Sequence, residues 1–289
     1  MKAKIKQFFL DLLEIYTKKR IASSAAQCAF WIILAVIPFV MLVMLVFKRL
    51  PVDQSSLMGF IEYYFPGESA DSIMSVTESM TRNTNPAVLV IAIIGALWTS
   101  SKAMLSIRQG LNEIYGVRET RSFLYVRLIG FLYVLLFAAA LVITLIFMGM
   151  GNRVFLKILS YIPFVSTNGI VVWVLRLLLS IIVLSFLFML FYTFFSNQKQ
   201  KFLFQFPGAL VASIGWVFLS YIFSFYFDNT DNLTYIYGSL ASLMMLLLWL
   251  VTCLYAFFIG AAVNSIRATN AKRRRRAEME VQEENGAVL

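Results

Sequence analysis

Six stretches of this 289-residue chain run for about twenty residues or more with at most one charged side chain apiece. They are Ile21–Phe47, Asn83–Ser101, Leu128–Asn152, Ile170–Phe195, Phe202–Phe227 and Leu233–Ile266. A bilayer core ~30 Å thick is crossed by ~20 helical residues rising ~1.5 Å each. In hydrocarbon every backbone N–H and C=O needs an internal partner, which limits such stretches to helices. Composition closes off a water-soluble alternative: residues of the AVILMFWYC set make up 60% of the chain and charged residues 14%. A soluble domain runs nearer ~45–50% and ~25%, so too little polar surface remains to wrap a core in water.

The predicted fold is an all-α polytopic membrane bundle of six transmembrane helices with short amphipathic interfacial helices. Pro86 and Pro207 suit the first turn of a helix, where the missing N–H has no partner to lose. Pro38 falls inside the first span and predicts a kink there. Residues 1–20 form a cytoplasmic interfacial helix, since Ile5, Phe8, Phe9, Leu12, Leu13 and Tyr16 share one helical face. Lys2, Lys4, Lys6, Lys18, Lys19 and Arg20 surround that face, as in helices that lie on an anionic leaflet. No signal peptide is evident ahead of the first span. Residues 21–267 then form the six-span domain, and 268–289 a disordered, mixed-charge cytoplasmic tail.

Orientation follows from charge. Nineteen of the 25 Lys and Arg fall in the N-terminal segment, the 102–127 and 199–201 connections and the C-terminal tail, leaving six on the opposite side. The positive-inside rule therefore places both termini in the cytoplasm of a multi-pass plasma-membrane protein. The long outer connection carries helical stripes at Leu57, Phe60, Ile61, Tyr64 and at Ile73, Val76, Met80, split by Pro66-Gly67. The cytoplasmic segment Ala103–Tyr115 has a similar stripe and is ended by Gly116. The apolar run around Pro163 is too short to span and reads as re-entrant or surface-lying. No internal repeat is evident.

What is missing limits the chemistry. The chain has no histidine, which removes His triads and His metal sites. Cys28 and Cys253 lie in apolar runs without CxxC spacing. No Asp or Glu lies in the core of any span, so a carboxylate proton relay is unsupported. No phosphate-binding glycine loop indicates an ATP-driven motor. Asp228 and Asp231 form the one close acid pair near a span end and read as a solvated turn. No catalytic residue, metal site or cofactor is predicted, and the chain is not read as an enzyme.

Binding residues are easier to nominate. Arg176 is the one charge well inside an apolar run, either gripping an anionic headgroup or snorkelling to the outer interface. Arg108, Asn112, Arg118 and Arg121 gather at the cytoplasmic rim, where they could bind anionic headgroups or simply set topology. Ala256, Gly260 and Asn264 recur at four-residue intervals, as do Gly208 with Ala212 and Gly238 with Ser242. Such stripes let helices approach closely, and Asn264 adds an interhelical hydrogen bond. Lys272 and Arg273–Arg276 read as a juxtamembrane cluster on anionic lipid rather than a nucleic-acid site.

Together these segments resemble the YihY/virulence factor BrkB family of bacterial inner-membrane proteins. The resemblance rests on Ala25–Pro38, on Trp98-Thr-Ser-Ser followed by Leu111–Val117 and Arg121, on Pro207-Gly208-Ala209 with Trp216 and Tyr226, and on Tyr237–Leu240, Leu248-Trp249 and Gly260–Asn264. It covers about Ala22 to Arg267. It implies a six-span helical bundle with cytoplasmic termini. Ala262 and Ala35 depart from the pattern, which commonly has an acid and a serine there, so no ionisable group beside Asn264 is implied. Members were long labelled ribonuclease BN, yet a nuclease's histidines, carboxylate cluster and metal spacing are absent.

The function expected is transport or flipping of an anionic amphiphilic envelope molecule or lipid. A non-catalytic scaffold for envelope proteins is the alternative, and a nuclease a distant third. The partners expected are anionic inner-leaflet lipids and an amphiphilic substrate, not nucleic acid; a homo-oligomer is compatible with the sequence.

Overall fold

The computed structural model describes residues 2–49, 86–120, 169–197, 201–228 and 239–286, with single positions between 122 and 130. Among the described residues there are helices and no strands: α1 (Lys2–Lys18), α2 (Ile21–Arg49), α3 (Pro86–Tyr115), α4 (Gly169–Phe194), α5 (Phe206–Asp228) and α6 (Ser239–Gly286). A 3-10 turn at Phe202–Gln205 leads into α5. Three helical segments among them are long and apolar enough to cross a membrane: Leu177–Phe194, Phe202–Tyr226 and the stretch of α6 from Met244. A shorter apolar helical stretch runs from Ile21 to Ala35. The chain divides into two compact units, one of residues 1–30, 106–121 and 173–289, the other of 31–105 and 122–172.

In the first unit, α5 and α6 pack antiparallel along their small residues. A Cβ on Gly208 would collide with the carbonyl of Gly260, and one on Gly260 with Gly208, Ala212 and the Tyr192 hydroxyl. Further along, Gly215 faces Ala256, and Ser220 sits within reach of Cys253 and Trp249. The contact thus continues over about three turns of α5. Without a hydrophobic drive between helices in lipid, such close backbone approach supplies the van der Waals contact that holds spans together.

α4 joins this pair through aromatic rings. Phe188 lies 5.6 Å from Trp216 and 5.2 Å from Phe257, and Tyr192 lies 5.0 Å from Phe257, ring centre to ring centre. The opposite faces of the same helices carry exposed Leu179, Ile182, Phe186, Phe218, Ile222 and Phe225. That inversion suits a bundle whose outer solvent is lipid. In the second unit, the Lys102 ammonium stands 5.8 Å from the Trp31 ring and 5.7 Å from that of Trp98.

α1 packs against α6, with Tyr16 beside Tyr255. Its apolar face is divided. Phe8, Leu12 and Ile15 are half-buried, whereas Phe9, Leu10 and Leu13 are exposed. Only Lys19 and Arg20 separate α1 from α2, and Arg20 takes a left-handed conformation (φ +48°) to make the corner.

Two elements differ from the sequence reading. Ala103–Tyr115 is not a separate segment but the continuation of α3, because no residue between Lys102 and Tyr115 stops a helix and the internal Gly110 is tolerated inside one. Residues 268–286, read as disordered, continue α6. Their low hydropathy cannot nucleate a helix, but an apolar helix already formed spares them the nucleation cost. Ala, Lys, Arg, Glu, Met and Gln then propagate it well until Gly286. α2 runs through Pro38 as one element. The expected third span, the stripes of the 48–85 connection, the Pro163 run, Arg121 and Gly238 lie outside the described residues, as do the side chains of Arg176 and Pro38.

Candidate functional site

Most of the described buried polar groups of the first unit gather at the end of the bundle that carries Arg108, Arg118 and Arg267. Their placement begins with the end of α3. Gly116, at φ +66°, donates its N–H to the Glu113 carbonyl, and Val117 donates to the Asn112 carbonyl. This is the paired closure that a left-handed glycine allows at a helix C-terminus. It turns the chain back so that Glu119 reaches the last turns of the helix it has just left.

There the Glu119 carboxylate meets two side chains of α3. Arg108 Nη2 donates to Oε1 at 3.0 Å and Asn112 Nδ2 to Oε2 at 3.0 Å. Arg108 Nε also lies 2.6 Å from Oε2, so the guanidinium meets both carboxylate oxygens as a bidentate ion pair. The guanidinium side chain is 5% exposed and the carboxylate side chain 31%. Asn112 Oδ1 accepts from the Asn197 backbone N–H at 2.9 Å and from Ser196 Oγ at 3.4 Å. Asn197 Nδ2 in turn holds the returning loop by donating to the Arg118 carbonyl and Thr120 Oγ1. The C-terminus of α4, the end of α3 and the loop after it are therefore one hydrogen-bonded unit.

A second polar centre lies beside it. Asn264 is fully buried; its Oδ1 accepts from the Gly208 N–H at 2.9 Å and its Nδ2 donates to the Gln205 carbonyl at 2.9 Å. The Gly208 donor belongs to the first turn of α5, which has no partner within its own helix. The Tyr115 hydroxyl donates to Gln205 Oε1, and burial pushes its phenol above the ordinary range. Ser265 Oγ donates to the Ile114 carbonyl, and Arg267 caps the 3-10 turn at the Phe204 carbonyl while stacking on the Phe204 ring. Along α5 away from this end, polar contacts continue with Ser185 to Ser213 at 3.0 Å and Trp249 Nε1 to Ser220 at 3.3 Å.

The structure thus brings together Arg108 and Asn112, and separately Asn264, Gly208 and Gly260. Arg118 is exposed beside the first group and contributes its carbonyl. Glu119, Tyr115, Ser196, Asn197 and Gln205 escaped the sequence reading. The signal for Glu119 was its position three residues beyond a helix-ending glycine, where a returning loop can reach α3. Nothing local marks Gln205, whose burial depends on α3 and α6.

A model of the virulence factor BrkB family matches residues 12–285. The chain belongs to that family. It is 29% identical over 260 residues to a Bacillus subtilis protein named putative ribonuclease-like protein YfkH, covering 90% of this chain and 94% of that one. It is 25% identical over 275 residues to a UPF0761 membrane protein of Aggregatibacter aphrophilus (91% and 92%). A UPF0761 membrane protein of Vibrio campbellii is 26% identical over 267 residues (89% and 81%). No solved structure matches the chain. It is accordingly a membrane protein of the BrkB/UPF0761 group. The site of this BrkB-family member is built from amides, hydroxyls, the guanidinium groups of Arg108 and Arg267 and the Glu119 carboxylate. Among the described residues no group of three or more His, Cys, Asp or Glu could hold a metal ion.

Proposed function

We propose that this protein is a multi-pass protein of the bacterial plasma membrane, termini in the cytoplasm, that transports or flips an anionic amphiphile, a lipid or an envelope molecule. One observation carries the reading: a run of polar side chains through the bundle, from Trp249 and Ser220, through Ser213 and Ser185, to Gln205, Asn264, Asn112 and Arg108. Between Ser220 and Gly208 it follows α5 for about 18 Å, more than half of a bilayer core. A polar headgroup crossing hydrocarbon needs hydrogen-bonding partners at successive depths, while its chains stay in lipid. Hydroxyls and amides supply them without a fixed charge to trap the anion midway. Arg176 and Arg108 are the cations proposed to receive the headgroup at the outer and inner ends. The exposed Phe9 and Leu13 of α1, with the flanking lysines, rest on anionic inner-leaflet lipid.

Vesicles reconstituted with the full chain and fluorescent phosphatidylglycerol test this, using quenching of the outer leaflet to follow exchange. The wild type speeds exchange over empty vesicles, and Ser213→Val and Arg176→Ala each slow it at least tenfold while melting normally. Wild-type vesicles that move no anionic lipid or envelope precursor would refute the proposal.

A scaffold role has one observation in its favour. Beyond Arg267, α6 extends as a helix to Gly286, about 29 Å at 1.5 Å per residue, and its described side chains from Thr269 onward are exposed. A partner protein that copurifies with the full chain and is lost on truncation after Arg267 would support that reading over transport.

A further inference from the structure

On α3 the side chains of Val90, Ile94 and Trp98 follow one another at four-residue intervals, each more than half exposed. Lys102, half-buried, continues the row, and the exposed Gln109 and Glu113 lie on the same face beyond it. That face therefore passes from hydrocarbon to water between Trp98 and Gln109, with Lys102 at the edge. A lysine that merely anchored the helix there would extend toward Gln109 and the aqueous side. Lys102 instead holds its ammonium 5.7 Å from the ring of Trp98, one turn back along α3, and 5.8 Å from that of the half-buried Trp31 on α2. Ring faces attract a cation through their quadrupole and carry no net charge, so they fix where the ammonium sits without cancelling it. The ammonium and the two indole N–H groups are donors only. A fixed cation among donors, at the rim of the hydrocarbon, matches an anion that comes from the same depth. The anions at that depth are lipid phosphates.

We infer that Trp31, Trp98 and Lys102 form a binding site for one anionic phospholipid of the inner leaflet, its phosphate on the Lys102 ammonium and its chains along the exposed faces of α2 and α3. The inference rests on the reading above that α3 crosses the bilayer toward the cytoplasm, not on lipid being moved. The length of the face fits the occupant. From Lys102 back to Val90 the helix rises about 18 Å, and one leaflet of a ~30 Å core is about 15 Å deep. Leu34, three residues beyond Trp31 and so on the same side of α2, is exposed as well. A soluble anion gains nothing from these side chains, whereas an acyl chain packs against them. A phosphatidylcholine headgroup would bring its own cation up to Lys102, so an anionic headgroup is preferred to a zwitterionic one. The site shares no residue with the polar run proposed for transport, so the two can fail independently.

Native mass spectrometry of the purified full chain, titrated in detergent with phosphatidylglycerol or with phosphatidylcholine, reads the apparent Kd of the first bound lipid. The wild type binds phosphatidylglycerol roughly fivefold or more tightly than phosphatidylcholine. Lys102→Met, similar in length and uncharged, brings that ratio to about one, and Lys102→Arg, which keeps the charge and the ring contacts, preserves it. Lys201→Met, which removes the same charge from an exposed position elsewhere, leaves the ratio as in the wild type. A ratio that survives Lys102→Met, or that Lys201→Met lowers as much, overturns the inference, because the preference then reflects overall basic charge. Should Lys102→Met not fold, Trp98→Leu, which alters a ring already half exposed, takes its place. It must weaken phosphatidylglycerol binding by roughly threefold or more, or the site is refuted. Inorganic phosphate at millimolar concentration leaves the lipid bound; displacement would make this a site for a soluble anion and overturn the lipid assignment. Failure of the wild type to move lipid between leaflets would retire transport, while a ratio lost in Lys102→Met would still establish this site.

Discussion

Gly208→Ala tests the closest helix contact in the bundle. The added Cβ falls on the Gly260 carbonyl and the Asn264 side-chain amide, neither of which is the free end of a flexible chain. Asn264 is pinned at both ends by its bonds to Gly208 and Gln205, so α5 and α6 must separate. Overpacking of this kind costs about 1–3 kcal/mol, and stretching the buried Gly208–Asn264 bond about 1–3 more, against about 1 regained from the helix propensity of Ala, for a net loss of roughly 3 kcal/mol. The other glycines form a graded series. Gly110 has the ring of Phe258, itself fully buried, at 2.7 Å from the same hypothetical atom, Gly215 has Ala256 Cβ at 3.0 Å, and Gly95 has nothing within 4 Å. Unfolding in mixed micelles by titration with a denaturing detergent, followed by tryptophan fluorescence, should rank Gly208→Ala as most destabilised, then Gly110→Ala and Gly215→Ala. Gly95→Ala should be neutral or stabilised. Equal stability of Gly208→Ala and Gly95→Ala would refute the backbone contact between α5 and α6.

The same assay checks the two left-handed residues, with opposite signs. Gly116→Ala, at φ +66°, loses about 1 kcal/mol, whereas Arg20→Gly, at φ +48°, gains up to about 1. Asn264→Leu strands the Gly208 N–H and the Gln205 carbonyl inside the bundle and costs about 2–4 kcal/mol, seen as an early unfolding midpoint. Tyr115 gives an alkaline signature. Burial holds its folded-state pKa above the unfolded value, so its contribution is complete below pH ~10 and is lost as pH rises through the folded value. Tyr115→Phe therefore unfolds with a shallower alkaline slope; an unchanged slope would show the phenol to be solvated.

How legible the site was depends on how local its determinants are. Pro86 and Pro207 do stand in the first turns of α3 and α5, and Gly116 does end α3, because each acts on its own backbone. Arg108 and Asn112 could be nominated because a guanidinium and an amide stand four residues apart beside a long apolar run. What neutralises Arg108 could not. Glu119 reaches it only through the left-handed turn at Gly116 and the grip of Asn197, a residue more than 70 positions away. Residues 268–286 misled for the complementary reason. Their composition describes an isolated peptide, and their helicity is inherited from the span before them.

Two polar centres in one bundle, both built on asparagine, call for different explanations. Asn264 is neutral and fully buried: its Oδ1 and its Nδ2 each meet a backbone group, so an apolar replacement leaves buried backbone unsatisfied. The Asn112 centre is charged and partly open. Arg108 sets Nη2 and Nε against the two Glu119 oxygens at 3.0 and 2.6 Å, Asn112 Nδ2 adds a contact that the carboxylate's lone pairs can take, and the carboxylate side chain is 31% exposed. Salt screens a partly exposed ion pair and leaves a buried amide contact alone. The two centres should therefore separate in experiment. The stability lost in Glu119→Gln shrinks as salt is raised, while that lost in Asn264→Leu stays the same. Parallel behaviour of the two variants would mean that the charges of Arg108 and Glu119 add nothing beyond packing.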